Sequence, residues 1–355
     1  MSEDDGSSHP DGDKRDWDKQ DWDKQDRREQ DGGGESLLTV LLALGANFGV
    51  AVAKTVAGVM TGSAGMLSEA AHSYADCGTE LFLLTALRRS EKPADRSHPF
   101  GYGKERYFWS LLAAVSIFTA GSLFAIYQGV HTLTGAEEDH GNVTVAYIVL
   151  AVAAVLEGIS LTQAIRQVRK EQERDRLSLL PYLRRSDDPT VKTVLYEDSA
   201  ALVGLFLAFL GLFLTQVTGS STWDGIASLL IGCLLVLVAY LLGRTNMNLL
   251  IGQQADPRLV DAVRDHLESQ PEVDVVVDLL TMLTGTDRVL VCARLDFVDE
   301  FSVPDLERAC VRIDTELREA YPDLDEIFLE PVPRTDQDLR DRVRARYGPP
   351  REPAR

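Results

Sequence analysis

Six runs of mostly apolar residues, each about the length of a membrane crossing, constrain this chain more than any other feature of it. They are Leu37 to Met60, Ala64 to Leu87, Tyr107 to Leu133, Val143 to Ile165, Val191 to Val217 and Gly225 to Leu242. A helix needs roughly 20 residues to cross the hydrocarbon core, and backbone groups in lipid must find their partners within the helix. The sequence therefore predicts an α-helical membrane protein with six transmembrane helices, occupying residues 36–245.

The rest of the chain is polar. Residues 1–35 carry a near-repeat, Asp16-Trp-Asp-Lys-Gln followed by Asp21-Trp-Asp-Lys-Gln, with Gly and Ser and few aliphatic side chains. Such a segment cannot bury a core, so a disordered acidic tail is expected. Past Arg244 a helical pattern from Pro257 to Ser269 precedes strands near Val273 to Leu283 and Val289 to Phe297, with Gly285-Thr-Asp287 as the turn. A helix from Val303 to Ala320 and a strand near Glu326 to Pro331 complete the order α-β-β-α-β. That order predicts a C-terminal cytoplasmic α+β domain of ferredoxin-like type over residues 255–333. Residues 334–355 are expected to form a mobile tail.

Charge sets the orientation and excludes some partners. Arg88, Arg89, Lys92, Arg96, Lys104 and Arg106 lie between the second and third runs, and a second basic group, Arg166 to Arg185, between the fourth and fifth. The loop between the third and fourth runs is acidic, so both termini are expected in the cytoplasm. In total 36 Lys and Arg stand against 55 Asp and Glu, a formal charge of -19. That balance argues against nucleic acid as a partner. The four cysteines, Cys77, Cys233, Cys292 and Cys310, have no CxxC spacing and give no thiolate metal site.

Ionisable residues inside a bilayer cost roughly 2.5–3.5 kcal/mol each on insertion scales, so their presence points to function. The second run carries Glu69, His72, Asp76 and Glu80. Spaced by four, His72 and Asp76 share a helical face, which suits two ligands of one ion. The alternative is a structural polar pair between helices. Imidazole with carboxylate oxygen suits zinc, and manganese, iron or cobalt where more oxygens join. In the fifth run Glu197 and Asp198 are adjacent, about 100° apart on a helix, so only one of them should face His72. Asp198 is favoured, with helix N-terminal carboxylates as the alternative. Glu157 in the fourth run is assigned either an ion pair with Lys54 of the first or a proton relay. Glu69 is kept with these two as a possible accessory to the site. Asp224 is read as a cap for the helix it precedes.

The stretch Thr61-Gly-Ser-Ala-Gly-Met-Leu-Ser-Glu-Ala-Ala-His-Ser-Tyr-Ala-Asp76, followed by Lys92-Pro-Ala-Asp-Arg-Ser-His-Pro-Phe-Gly-Tyr-Gly-Lys-Glu105, resembles the cation diffusion facilitator family. The resemblance runs from Leu37 to Pro333, and the segment Leu195-Tyr-Glu-Asp-Ser-Ala-Ala201 is similar to the branch containing the animal mitochondrial zinc transporter. It implies a homodimer in the lipid bilayer that exchanges a cytoplasmic divalent metal, zinc foremost, for protons, with no bound cofactor and no enzymatic activity. It also implies that His72 and Asp76 supply half of the metal site, to which the residues of the fifth run add one or both of Glu197 and Asp198. Val194 departs from the pattern, standing where relatives usually carry His or Asp four residues before a second Asp. Tyr102 stands where some relatives place a second histidine, which leaves Asp95 and His98 for an accessory loop site. His266 is the only histidine of the C-terminal domain, whose expected role is dimer contact without a binuclear metal site. The alternatives are a relative preferring manganese or iron, and a non-transporting membrane sensor or scaffold. In a prokaryote the membrane would be the plasma membrane.

Overall fold

The computed structural model describes residues 44–135, 143–175 and 189–347. The expected tail over 1–35 lies outside these residues, as does the end of the C-terminal tail. Six helices come first: α1 (Leu44–Thr61), α2 (Ala64–Ser90), α3 (Glu105–Thr134), α4 (Val143–Asp175), α5 (Pro189–Thr218) and α6 (Thr222–Ile251). Five of them are long and apolar enough to cross a membrane: α1, the whole of α3, and the Val143–Arg166, Lys192–Thr218 and Thr222–Ile251 stretches of α4, α5 and α6. The remaining helix, α2, which is the second expected run, is also long enough but too polar to meet that test. Glu69, Asp76 and Glu80 lie along it, and Arg88 and Arg89 close its last turn.

The packing explains how so polar a helix is kept. α2 lies against α3, α5 and α6, and its Glu69, His72 and Ser73 are buried. The outer helices turn their apolar side chains outward instead: Ile148, Val152, Val155 and Ile159 of α4 and Phe206 and Phe213 of α5 are exposed. A water-soluble bundle has the opposite distribution. The inner seam is built from small and branched residues, among them Ala57, Met66, Ala114, Ile117, Ala208, Leu212, Ile231 and Leu235.

Two helix irregularities position the second helix. Ile117–Ser122 forms a π-helical turn within α3, a local widening that recurs at functional sites. Its Gly121 faces α2 at His72 and Ala75, with room for no more than a Cβ. At the start of α2, Ser63 accepts a hydrogen bond from the Met66 amide as N-cap. Asp224 in the first turn of α6 accepts from the Ser63 hydroxyl (2.9 Å) and the Gly65 amide (3.2 Å), and closely from the Ala64 amide. Asp224 thus adds to the Ser63 cap of α2 from another helix, taking the first amides that Ser63 leaves free.

α6 runs nine residues past the expected end at Leu242, to Ile251, where Gly252 (φ +120°) breaks it. Then follow α7 (Pro257–Glu268), β1 (Val273–Gly285), β2 (Arg288–Phe297), α8 (Val303–Ala320), β3 (Leu324–Pro331) and α9 (Gln337–Tyr347). β1 and β2 pair antiparallel through the tight turn, with Leu283 opposite Val289. β2 and β3 pair parallel, with Val291 opposite Ile327, and α8 makes the crossover that a parallel pair requires. Alternate residues Val289, Val291, Ala293 and Leu295 are buried in one core with Val260 and Val263 of α7 and Ile313 and Leu317 of α8. Tyr107 of α3 and Leu249 of α6 belong to this second core, so the sheet is packed onto the ends of the membrane helices.

The segment expected as a mobile tail is structured through residue 347. Arg334 pairs with Asp274 at 2.5 Å, Arg346 pairs with the buried Asp278 at 3.1 Å, and Leu339 is buried. A buried carboxylate needs cationic partners, and the basic residues of the tail supply one of them.

Candidate metal site

The polar face of α2 opens on a cavity of about 130 Å³ between α1, α2, α4 and α5. Its wall contains five carboxylates: Asp76 and Glu80 of α2, Glu157 of α4, and Glu197 and Asp198 of α5. His72 sits one turn from Asp76, as their spacing predicts, with Nδ1 at 3.3 Å from Asp76 Oδ1. The angle of that contact does not make it a hydrogen bond, so both ring nitrogens of His72 are buried without a partner. Asp76 Oδ1, Glu80 Oε2 and Glu197 Oε1 are buried and unpartnered as well. Buried polar atoms are nearly always satisfied in folded proteins. A cluster of lone pairs without donors is what a cation passing through would complete.

Glu197 and Asp198 both line the cavity. They differ in commitment. Asp198 accepts a hydrogen bond from Ser160 of α4 at 2.7 Å, whereas Glu197 is 8 % exposed and leaves one oxygen unpaired. Of the pair, Glu197 is the one with a buried oxygen left without a partner. Among the described residues no three His, Cys, Asp or Glu side chains stand close enough to hold one ion as they are. His72 and Asp76 are brought together, and the α5 carboxylates face them across the cavity.

Lys54 does not pair with Glu157. Its ammonium bonds Glu69 at 3.1 Å and Ser73 at 2.8 Å, and Lys54 and Glu69 are both fully buried. Glu69 lies one helical turn from Ser73 on α2 and reaches Lys54 first; Glu157 is left facing the cavity. Glu80 is held by a close hydrogen bond from Asn47 of α1. In the sequence a serine three residues after Glu157 carries no signal by itself, so the role of Ser160 is visible only in the fold.

In the loop after α2, His98 Nδ1 lies 3.7 Å from Asp95 Oδ1. Asp95 accepts from the amides of Ser97 and His98 and from the Tyr102 hydroxyl, all at 2.8 Å. The Tyr102 hydroxyl and these amides hold its carboxyl below the ordinary aspartate value. His98 stacks on Tyr102 with ring centroids 4.2 Å apart. Asp95 organises a turn, and that turn packs on the sheet: a Cβ at Gly103 would stand 2.5 Å from the carbonyl oxygen of Thr284.

A polar helix enclosed by apolar spans, with carboxylates and a histidine at its centre, defines an integral membrane protein built to handle cations. The chain belongs to the cation efflux family, whose transmembrane domain matches residues 40–251. It is 35 % identical over 266 residues to the mitochondrial proton-coupled zinc antiporter SLC30A9 of Xenopus laevis, covering 75 % of this chain and 47 % of that protein. Against the human protein of that name the identity is 34 % over 244 residues, covering 69 % and 43 %. Metal tolerance protein C4 of Arabidopsis thaliana is 34 % identical over 232 residues, covering 65 % of this chain and 50 % of its own. The chain thus spans about half the length of these curated relatives.

Proposed function

We propose that this protein exports a divalent metal cation, zinc foremost, from the cytoplasm in exchange for protons, by alternating access. The observation that carries the reading is the opposition of His72 and Asp76 on α2 to Glu197 on α5, with unpartnered buried atoms on both sides of one cavity. Closing α5 on α2 gives the ion one imidazole nitrogen and two or three carboxylates, with Asp198 joining when Ser160 releases it. That donor set suits zinc. The share of oxygen in it admits manganese and iron as lesser substrates.

Proton exchange follows from the ligands. Imidazole binds metal only when neutral and carboxylate only when ionised, so binding displaces protons and protonation from the far side displaces metal. Five carboxylates around one dication leave charge that protons can neutralise, and Glu157, which lines the cavity beside Ser160, is one of the groups that can take one.

The architecture assigned to this activity has six crossings, counting α2, with both termini and a ferredoxin-like domain in the cytoplasm. The basic loops after α2 and α4 support that orientation. The domain divisions are residues 36–245 for the membrane part, with α6 extending beyond it, and 255–333 for the α+β part. The working unit is a homodimer. The reading is tested by flux into proteoliposomes carrying the purified protein, with zinc, manganese, iron, cobalt and cadmium compared and internal pH recorded. Saturable zinc flux with opposite proton movement supports it. Folded protein that carries none of the metals would favour a sensor or scaffold.

A further inference from the structure

Glu69 has the position of a metal ligand. It precedes His72 by three residues on α2, within reach of the same helical face, it is fully buried, and its Oε1 has no hydrogen-bond partner. A carboxylate so placed would add a strong ligand to the site beside it.

Two features hold Glu69 away. Lys54 of α1 takes its Oε2 at 3.1 Å, and the same ammonium takes the Ser73 hydroxyl at 2.8 Å. Ser73 lines the cavity next to His72, so one lysine occupies two oxygens that a passing cation could otherwise use. On the other side Gly204 of α5 lies in close contact with Glu69 Oε1, and only a residue without Cβ leaves the carboxylate in this orientation.

We propose that Lys54 is a specificity- and affinity-determining residue of the transport site: by sequestering Glu69 and Ser73 it keeps the site at four ligands and the ion releasable. The inference rests on the transport reading above for its purpose, but its physical content is an equilibrium binding property. A transported ion must bind weakly enough to leave. A fifth protein ligand of full negative charge works against release, whereas a paired one is neutral and silent.

The test is zinc binding by titration calorimetry on the full chain in detergent, with proteoliposome flux alongside. Lys54→Met liberates Glu69, and zinc is expected to bind at least about tenfold tighter, the short-range effect of one more carboxylate, while maximal flux and KM both fall. Lys54→Met combined with Glu69→Gln removes both charges and is expected to restore wild-type affinity. Glu69→Gln alone leaves Lys54 unpaired beside the site and is expected to weaken binding about tenfold by repulsion. That arm, with its reversal by Lys54→Met, carries the test if Lys54→Met alone does not fold. Unchanged affinity in Glu69→Gln, or a double variant that keeps the affinity of either single variant instead of returning to that of the wild type, would make the pair a mere strut between helices and overturn the proposal. Wild-type protein that binds zinc without carrying it would count against transport and leave the affinity pattern to be judged by itself.

Discussion

The Asp224 carboxylate accepts a hydrogen bond from the Ser63 hydroxyl at 2.9 Å across 161 residues of sequence. By adding the Ala64 and Gly65 amides to that bond, the first turn of α6 becomes the N-terminal cap of α2. The helix that carries the candidate ligands is therefore fixed in height and rotation by a residue on another helix. The adjoining bond between Ser68 and Ser228, at 2.7 Å, ties the same two helices one turn further along.

Replacing Asp224 by Ala leaves the α2 amides and the Ser63 hydroxyl without their acceptor in a dry setting. The expected cost is about 1–3 kcal/mol, read as a lowered Tm in detergent. Asp224→Asn retains one carboxamide oxygen and should lose less.

The cap shows where sequence reading stops. The spans are legible because lipid imposes a length and an apolar composition on every crossing. α2 is legible for the opposite reason: His72 and Asp76 stand four apart in a run otherwise suited to burial, and the structure places them in contact. Partners between helices are not legible. Lys54 has two carboxylates to choose from, Glu69 and Glu157, and only the packing of α1 against α2 decides for Glu69. Likewise Asp224 beside its own helix start looks like a local cap, and the amides it serves are remote in sequence. The bond from Ser160 to Asp198 sets the two adjacent carboxylates apart, and no spacing rule records it. The tail past Pro333 reads as charged and mobile, yet its Arg346 answers the buried Asp278.

The unequal commitment of Glu197 and Asp198 has a measurable consequence. Glu197→Gln removes the unpaired oxygen and is expected to abolish zinc binding. Asp198→Asn is expected to weaken it about tenfold, the effect of one charge at screened range. Calorimetric titration with zinc ranks the two, and equal losses would deny the distinction.

Gly103 marks the joint between the membrane helices and the sheet. A Cβ there meets the Thr284 carbonyl oxygen and Gly285 Cα, at 2.5 and 2.8 Å. Gly103→Val is expected to cost about 1–3 kcal/mol of overpacking and to loosen the sheet from α3 and α6. Faster proteolysis between Gly252 and Asp256, with the helical signal unchanged, is the expected sign.

The Asp95 turn carries a pH signature. Its carboxyl is held below the ordinary aspartate value by Tyr102 and by the His98 and Ser97 amides, so the ionised form favours the folded turn. This contribution is present above the unfolded value and is lost as pH falls through the lowered folded value. Hydrogen exchange at the Ser97 and His98 amides should accelerate across that acidic window, and Asp95→Asn should show the fast exchange at neutral pH.

The central claim is that α2 and α5 together carry a divalent cation against protons. It is met most directly by zinc flux into proteoliposomes, with internal pH recorded, for the wild-type protein beside Asp76→Asn. Saturable flux with opposite proton movement in the first, and neither in a folded second, is the predicted result. Equal flux in both, or none in the wild-type protein shown to be folded, would contradict it.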